Sequence, residues 1–504
     1  MNEISYCSRC PGAVTPARSR RGFLQQSSIG FGWLAALGLL NEQGLTGRTL
    51  HAAGDAPGLQ SLAGGTALPG SAVRLLDRPA KAKNVVFCFM DGGPSHVDTF
   101  DPKPQLTARQ GQAIGAEAVS KRSQSAASRV WLGSPWAFQQ RGQSGLWVSD
   151  LFPRIASVAD QLCVIRSMVG ELPLHGQQNL LLHTGRILGQ APSLGAWISY
   201  GLGSENRNLP GYVVLNNDWV PNGGLENFGS SFLPASHQAT MMRAKGVPVD
   251  NMTPRDALAQ QQRKLSLVRE QDQSFAPRTS LPGAIEGAIA NYETAFQMQR
   301  IVPELTDISR EPEWVHKLYG VDSADEHQRY FATQAVRARR LIEAGVRFIE
   351  LTCPSFDGNN SPWDQHSHLK TNHEKNARVT EQSVAALIID LAQRGLLEET
   401  IVLWGGEMGR TPHTPAIHET SGRDHHVDGY SLFVAGGGFR GGMAYGQTDE
   451  FGNSVVEHPV TIHDLHATLL HQLGLDHERL TWRHGGRDYR LTDVHGQVLA
   501  PLLS

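Results

Sequence analysis

Short unbroken apolar runs recur along this chain, separated by longer stretches in which apolar residues return every three or four positions. The first run, Asn84-Val-Val-Phe-Cys-Phe-Met90, ends in Asp91-Gly92-Gly93-Pro94 and so predicts a buried strand feeding a tight loop. Further strands are predicted at Leu162–Ile165, Tyr212–Leu215, Val346–Leu351, Ile401–Trp404 and Ser431–Ala435. Helical periodicity fills several of the gaps, notably Ala332 to Ala344, Gln382 to Gln393 and Ile462 to Leu473. This exchange of strand and helix predicts an α/β fold, with a central, mostly parallel sheet and helices on both faces. In open sheets of this kind ligands bind beyond the carboxyl ends of the strands, so the residues that follow each apolar run are the ones to read for chemistry.

Two regions depart from the pattern. Residues 220–320 are rich in Gln, Pro, Gly and Met and carry few strand-like runs, with one helix expected around Ile289 to Gln299. Phe, Tyr and Leu recur through them, which argues for a folded insertion or cap within an α/β domain of residues 80–504 rather than a disordered linker. At the amino terminus, Ser19-Arg20-Arg21-Gly22-Phe23-Leu24 precedes the apolar stretch Ile29–Leu40, which is too short to span a bilayer. Those two elements match a twin-arginine export signal over residues 1–53, a route taken by proteins that fold before export. The reading places the protein in the periplasm or outside the cell. It touches a membrane only if the signal, cut imperfectly near Leu50-His51-Ala52-Ala53, stays attached.

Composition narrows the function classes. The net charge is −3, and removing residues 1–53 takes away five Arg and two Glu, leaving −6; an acidic body of this kind is a poor nucleic-acid binder. No Gly-rich nucleotide cradle is present. Cys7 and Cys10 would leave with the signal, and Cys88, Cys163 and Cys353 each lie in or beside an apolar run, as core cysteines do.

Four clusters follow predicted strands and carry metal-ligand chemistry. Asp91 to Pro104 supplies Asp91, His96 and Asp98 as candidate ligands, with Lys103 close by; Asp98 could equally cap the turn. Trp363-Asp364-Gln365-His366-Ser367-His368 offers Asp364 and His366, ahead of His368. Glu407, after Gly405-Gly406, would face a cleft, and Arg410 would either clamp an anionic oxygen or neutralise a carboxylate. Gly422-Arg423-Asp424-His425-His426 gives two adjacent histidines, of which one ligand and one supporting residue is the simpler expectation. Imidazoles with carboxylates suit a borderline divalent metal such as zinc, as one or two ions, better than calcium. His463 and His466, one helical turn apart after Thr461, could face the metals or serve packing and capping.

At these motifs the chain resembles the bacterial family called domain of unknown function 1501 (DUF1501), which looks related to alkaline phosphatases and sulfatases. The matching strings include Gly92-Gly-Pro-Ser-His96, Trp363-Asp-Gln-His366, Gly406-Glu-Met-Gly-Arg-Thr-Pro412, Gly422-Arg-Asp-His-His426 and Gly486–Gly496, and they run from about Asn84 to Leu502. The resemblance implies an alkaline phosphatase-like sandwich. It also implies metal ligands at Asp91 or its near neighbours, at Asp364 with His366 or His368, at Glu407, and at His425 or His426. Met408 stands where that superfamily often has a histidine, and His175 occupies the place of its nucleophile, in a segment ending His183-Thr184-Gly185. His175 could attack phosphorus, bind metal or orient a water.

The function expected from this is a metal-dependent hydrolase in which activated water attacks a phosphate or sulfate ester, with Arg410 and Lys103 neutralising charge. Its substrate would be an anionic small molecule or a sulfated or phosphorylated glycan. The competing class is a metal-containing binding or scaffold protein without turnover.

Overall fold

The computed structural model describes residues 76–115, 128–206, 208–216, 219–279, 282–356 and 361–504, so the export signal read in residues 1–53 lies outside the described residues. Its centre is a nine-stranded sheet. In chain order the strands are β1 (Asn84–Phe89), β2 (Leu162–Val169), β3 (Tyr212–Asn216), β4 (Thr240–Arg243), β5 (Phe348–Thr352), β6 (Thr400–Gly405), β7 (Tyr430–Ala435), β8 (Met443–Tyr445) and β9 (Val460–Thr461). Across the sheet they lie in the order β8-β2-β7-β6-β1-β5-β3-β4, with β9 beside β2. All pairings are parallel except those of β7, which runs against both of its neighbours.

The longer helices among the described residues are α1 (His175–Thr184), α2 (Leu194–Leu202), α3 (Leu258–Phe275), α4 (Pro282–Thr306), α5 (Glu326–Glu343), α6 (Leu369–Gln393) and α7 (Ile462–Gln472), of which α3 packs on α4 and buries no residue. Alternate residues of β1 go to opposite cores, as the two-residue period of a strand requires. Val86, Cys88 and Met90 join Phe331, Ala335, Val379 and Val384 of α5 and α6. Val85, Phe87 and Phe89 join Leu181, Trp197 and Leu469 of α1, α2 and α7. A strand buried on both faces has no polar side to display, which is why Asn84–Phe89 reads as an unbroken apolar run.

Each strand expected from the sequence is present, and Cys88, Cys163 and Cys353 are buried free thiols. The expected helix at 382–393 is the second half of α6. Its first half was hidden because polar residues with inward-facing partners, His373, Asn376 and Thr380, interrupt the apolar period. Within 220–320 the structure has the edge strand β4, which pairs parallel to β3, and helices α3 and α4, the latter containing the helix expected at 289–299. No helix among the described residues is long and apolar enough to cross a membrane.

Candidate metal centre

Because β1, β2, β5 and β6 are parallel, the loops after them leave from one edge of the sheet. Those loops carry Asp91, His175, Asp364 and Glu407. β7 is antiparallel, so it is the segment before it, His425–His426, that reaches the same edge. Gly92 and Gly93 let the first loop close tightly. Both have positive φ (104° and 74°), and a Cβ on Gly92 would fall 2.5 Å from Asp364 N, one on Gly93 2.6 Å from Met408 O.

Helix α1 is built to hold its first residue in place. His175, Asn179 and His183 recur every four residues and so share one face. Asn179 Nδ2 donates to Asp91 Oδ1 at 3.2 Å and to Asn222 O at 2.9 Å. His183 Nε2 lies 3.0 Å from Glu350 Oε1 in mid-sheet, and its Nδ1 donates to Asn179 O at 2.7 Å. Burial disfavours the charged ring of His183, but Glu350 raises its pKa. Gln178 closes the turn, accepting from the Glu171 and Leu172 amides and donating to Glu407 O at 3.0 Å.

Asp364 is the hub. Its Oδ1 is 2.6 Å from Arg410 Nη1, 3.0 Å from His366 Nε2 and 3.2 Å from His425 Nε2. Its Oδ2 is 3.3 Å from His175 Nε2, a buried nitrogen with no hydrogen-bond partner. Burial opposes a charge on Asp364, yet Arg410 and the three imidazoles hold its carboxyl far below the usual carboxylate range. His175 Nδ1 sits 2.5 Å from Glu407 Oε1; burial works against a charged ring, but Asp364 and Glu407 raise its pKa to about 9. His366 is raised to about 9 by Asp364 and Asp424, whereas burial lowers His425. Beneath them Asp91 is fully buried, its Oδ2 unpartnered, and burial together with the charge of Glu407 pushes its pKa well above normal. Two groups of ligand atoms therefore lie within 4.8 Å of one another: His175, Asp364 and His425, and Asp91, His175 and Glu407. Imidazoles, carboxylates and the orphaned His175 Nε2 suit a borderline divalent cation.

The sequence-predicted residues divide cleanly. Asp91, His175, Asp364, His366, Glu407, Arg410 and His425 come together. Asp98 does not: both its oxygens are taken by Arg423, at 2.7 and 3.0 Å, in a pair with no solvent exposure, which makes it a structural carboxylate. His96 is also drawn away, its Nε2 donating to Gly452 O at 2.8 Å and its ring stacked on His426 at 6.0 Å. His426 faces away from Asp364 because neighbouring residues of the Gly409–Arg410/His425–His426 ribbon point to opposite sides. Lys103 is committed to Asp101 and to Thr448 O, so it does not meet the cluster. Arg410 is fully buried and, besides Asp364, holds the carbonyls of Gly92 and Gly93, so it positions the loops. His463 and His466 donate to Gly185 O and Leu182 O, tying α7 to α1 rather than facing the cluster.

Residues that sequence reasoning passed over include Asn179, Pro173 and Arg129, which binds Asp424. The four-residue step from His175 was the available signal for Asn179; a backbone carbonyl such as Pro173 O leaves none.

The fold and this edge define an α/β protein with a candidate metal centre at the ends of its strands. A family model described as "Protein of unknown function (DUF1501)" matches residues 82–503, and the chain belongs to that family. No curated protein matches the chain. Among solved structures it is similar to Ps i-CgsB (10% identity, covering 78% of this chain and 72% of that one, TM-score 0.37). It is also similar to the PsFucS1 sulfatase from Pseudoalteromonas sp. (12%, 88% and 72%, TM-score 0.33). A third is a protein in the alkaline phosphatase superfamily from Vibrio parahaemolyticus (8%, 90% and 78%, TM-score 0.30).

Proposed function

We propose that this protein is an exported metal-dependent hydrolase of phosphate or sulfate esters, carried by small anionic molecules or by glycans. The observation that carries the reading is the convergence of His175, Asp364, His366 and His425, from three distant loops, on one partly open edge of the sheet. Zinc is the metal this donor set suits. When bound, such an ion supplies Lewis-acid activation of a water and of the ester oxygen. The chain's own part is to orient. Arg410 fixes Asp364 and the Gly92-Gly93 loop from inside, Gly92 N–H and His175 hold Glu407, and His366, 42% exposed, marks the side from which an ester would enter. Residues 220–320 would shape that entrance as a cap, since Asn222 and Gly223 rest on α1 beside His175.

A second reading is a metal-containing binding protein without turnover. It is favoured by one observation, that α1 begins with an imidazole and not with a hydroxyl or thiol nucleophile. Protein purified without chelators from the exported fraction, assayed on phosphate monoesters, phosphate diesters and sulfate esters, separates the two. Turnover that a chelator abolishes and zinc restores is the expected result; metal-loaded protein inert on all three classes would leave the binding protein.

A further inference from the structure

The two groups of ligand atoms share His175, and a neutral imidazole has one lone pair to give. The rest of the site decides where that lone pair points. His425 Nδ1 lies 2.8 Å from Pro173 O, which only accepts, so Nδ1 carries the proton and Nε2 the lone pair. His366 Nδ1 is 2.7 Å from Asp424 Oδ1, and His175 Nδ1 is 2.5 Å from Glu407 Oε1, both carboxylate acceptors. Three histidines thus have Nδ1 tied to an oxygen while their Nε2 atoms gather around Asp364. This is how imidazoles are oriented by outer partners when they ligate a metal.

The spacing agrees. Around a tetrahedral zinc with bonds of about 2.0–2.1 Å, neighbouring ligand atoms stand about 3.3 Å apart. Here His366 Nε2 and His425 Nε2 are 3.0 Å apart and lie 3.0 and 3.2 Å from Asp364 Oδ1, while His175 Nε2 lies 3.3 Å from the other oxygen of the same carboxylate, Oδ2. The other edge of His175 offers no such opening, because 2.5 Å between Nδ1 and Glu407 leaves room for a proton and not for an ion. Glu407 already accepts from Gly92 N on both oxygens.

We infer that His175, His366, His425 and Asp364 form one four-ligand site for a single divalent cation, in which His175 is a ligand and not a nucleophile. Glu407, Asp424 and Pro173 O orient the three rings, and Arg410 orients the carboxylate. The assignment rests on reading this edge as a metal centre; because four protein ligands fill a tetrahedron, the water of the proposed hydrolysis would enter as a fifth ligand. The assignment goes further in fixing the number of ions at one, and it excludes a phosphohistidine at His175, whose Nε2 lone pair is committed.

Titration of the metal-free full-length protein with cobalt(II), followed by visible absorption, tests it. One equivalent should bind, with the intense bands of four-coordinate cobalt. His175→Gln and His366→Gln should each weaken binding and shift the bands, and Asp424→Asn should weaken it about 10- to 100-fold with its ligand set unchanged. Two equal sites, the weak bands of a six-coordinate ion, or a His175→Gln variant identical to the parent would overturn the assignment. Circular dichroism checks that each variant folds. Zinc-edge X-ray absorption of the unmodified protein gives an answer that depends on no variant: three imidazoles and one oxygen are expected, and an oxygen-rich shell contradicts. Failure to bind cobalt at all removes both this site and the hydrolase, whereas four-coordinate binding without turnover keeps the site and removes the hydrolase.

Discussion

Asp98 and Asp364 are both carboxylates in segments that follow a parallel strand, β1 and β5, yet their environments assign them opposite duties. Asp98 meets Arg423 through two hydrogen bonds in a fully buried pair, and Arg423 is further fixed by the carbonyls of Leu132, Thr411 and Gly133. Removing one partner strands a charge where water cannot reach it, at a cost of about 3–5 kcal/mol. Asp98→Ala should therefore lower the free energy of unfolding in urea by about that amount, while the folded fraction keeps its metal. Loss of metal at unchanged stability would return Asp98 to the ligand set. Sequence reasoning found the right residue types here but not their allocation. Asp98 and Arg423 are 325 positions apart, and nothing local says which of several acids the arginine will take. His425 and His426 were separable in part, since neighbours in a strand must face opposite ways.

Helix α1 shows the same division among elements. Its polar face contacts the ends of β1 and β6 through Asn179 and Gln178 and the middle of β5 through His183, so three strands set its height above the sheet. A buried ion pair is an expensive way to attach a helix, but it defines one position for His175. Glu350→Ala should destabilise the fold by about 3–5 kcal/mol and also weaken metal binding, although Glu350 lies in the middle of β5 and touches none of the ligands. Zinc affinity equal to the parent's in the folded variant would show that the pair serves stability alone. Ser193 caps α2 by accepting from Ala196 N, and Ser193→Ala should cost about 1 kcal/mol in thermal or urea unfolding with no change in metal content; a change in metal content would tie α2 to the site. The apolar runs made the strands of this layer legible. The reversed direction of β7 was not, because an apolar hexapeptide reads alike in either direction, and yet that reversal is what brings His425 to the site.

At the scale of the whole molecule, three buried histidines, His373, His413 and His466, and the half-buried His237 are held in neutral form among the described residues. Burial lowers His237 and His413 to about 4 and His373 and His466 to about 3. The unfolded chain would bind protons at all four near pH 6.5, which the folded chain refuses until pH 3 to 4. The contribution of these four is therefore complete above about pH 6.5 and falls as the pH drops, by up to about 1.4 kcal/mol per pH unit for each histidine. Urea unfolding measured from pH 7 to 4.5 should show this decline, and a flat profile would mean that these rings are solvated. The sheet with helices on both faces was legible from strand and helix alternation alone, because burial on two faces leaves its mark on every central strand. The centre was legible as a list of residues following those strands. What the list could not contain was the assembly, since the pairing of a ring nitrogen with Pro173 O or of Glu407 with Gly92 N is decided by tertiary approach.

The proposed hydrolase depends on one cation held where these loops meet. Crystals of the full-length protein grown with zinc, and an anomalous-difference map collected at the zinc edge, examine that directly. The map should show one strong peak within about 2.0–2.2 Å of Nε2 of His175, His366 and His425 and of an Asp364 oxygen. A map with no peak there, or with zinc bound only elsewhere, would contradict it.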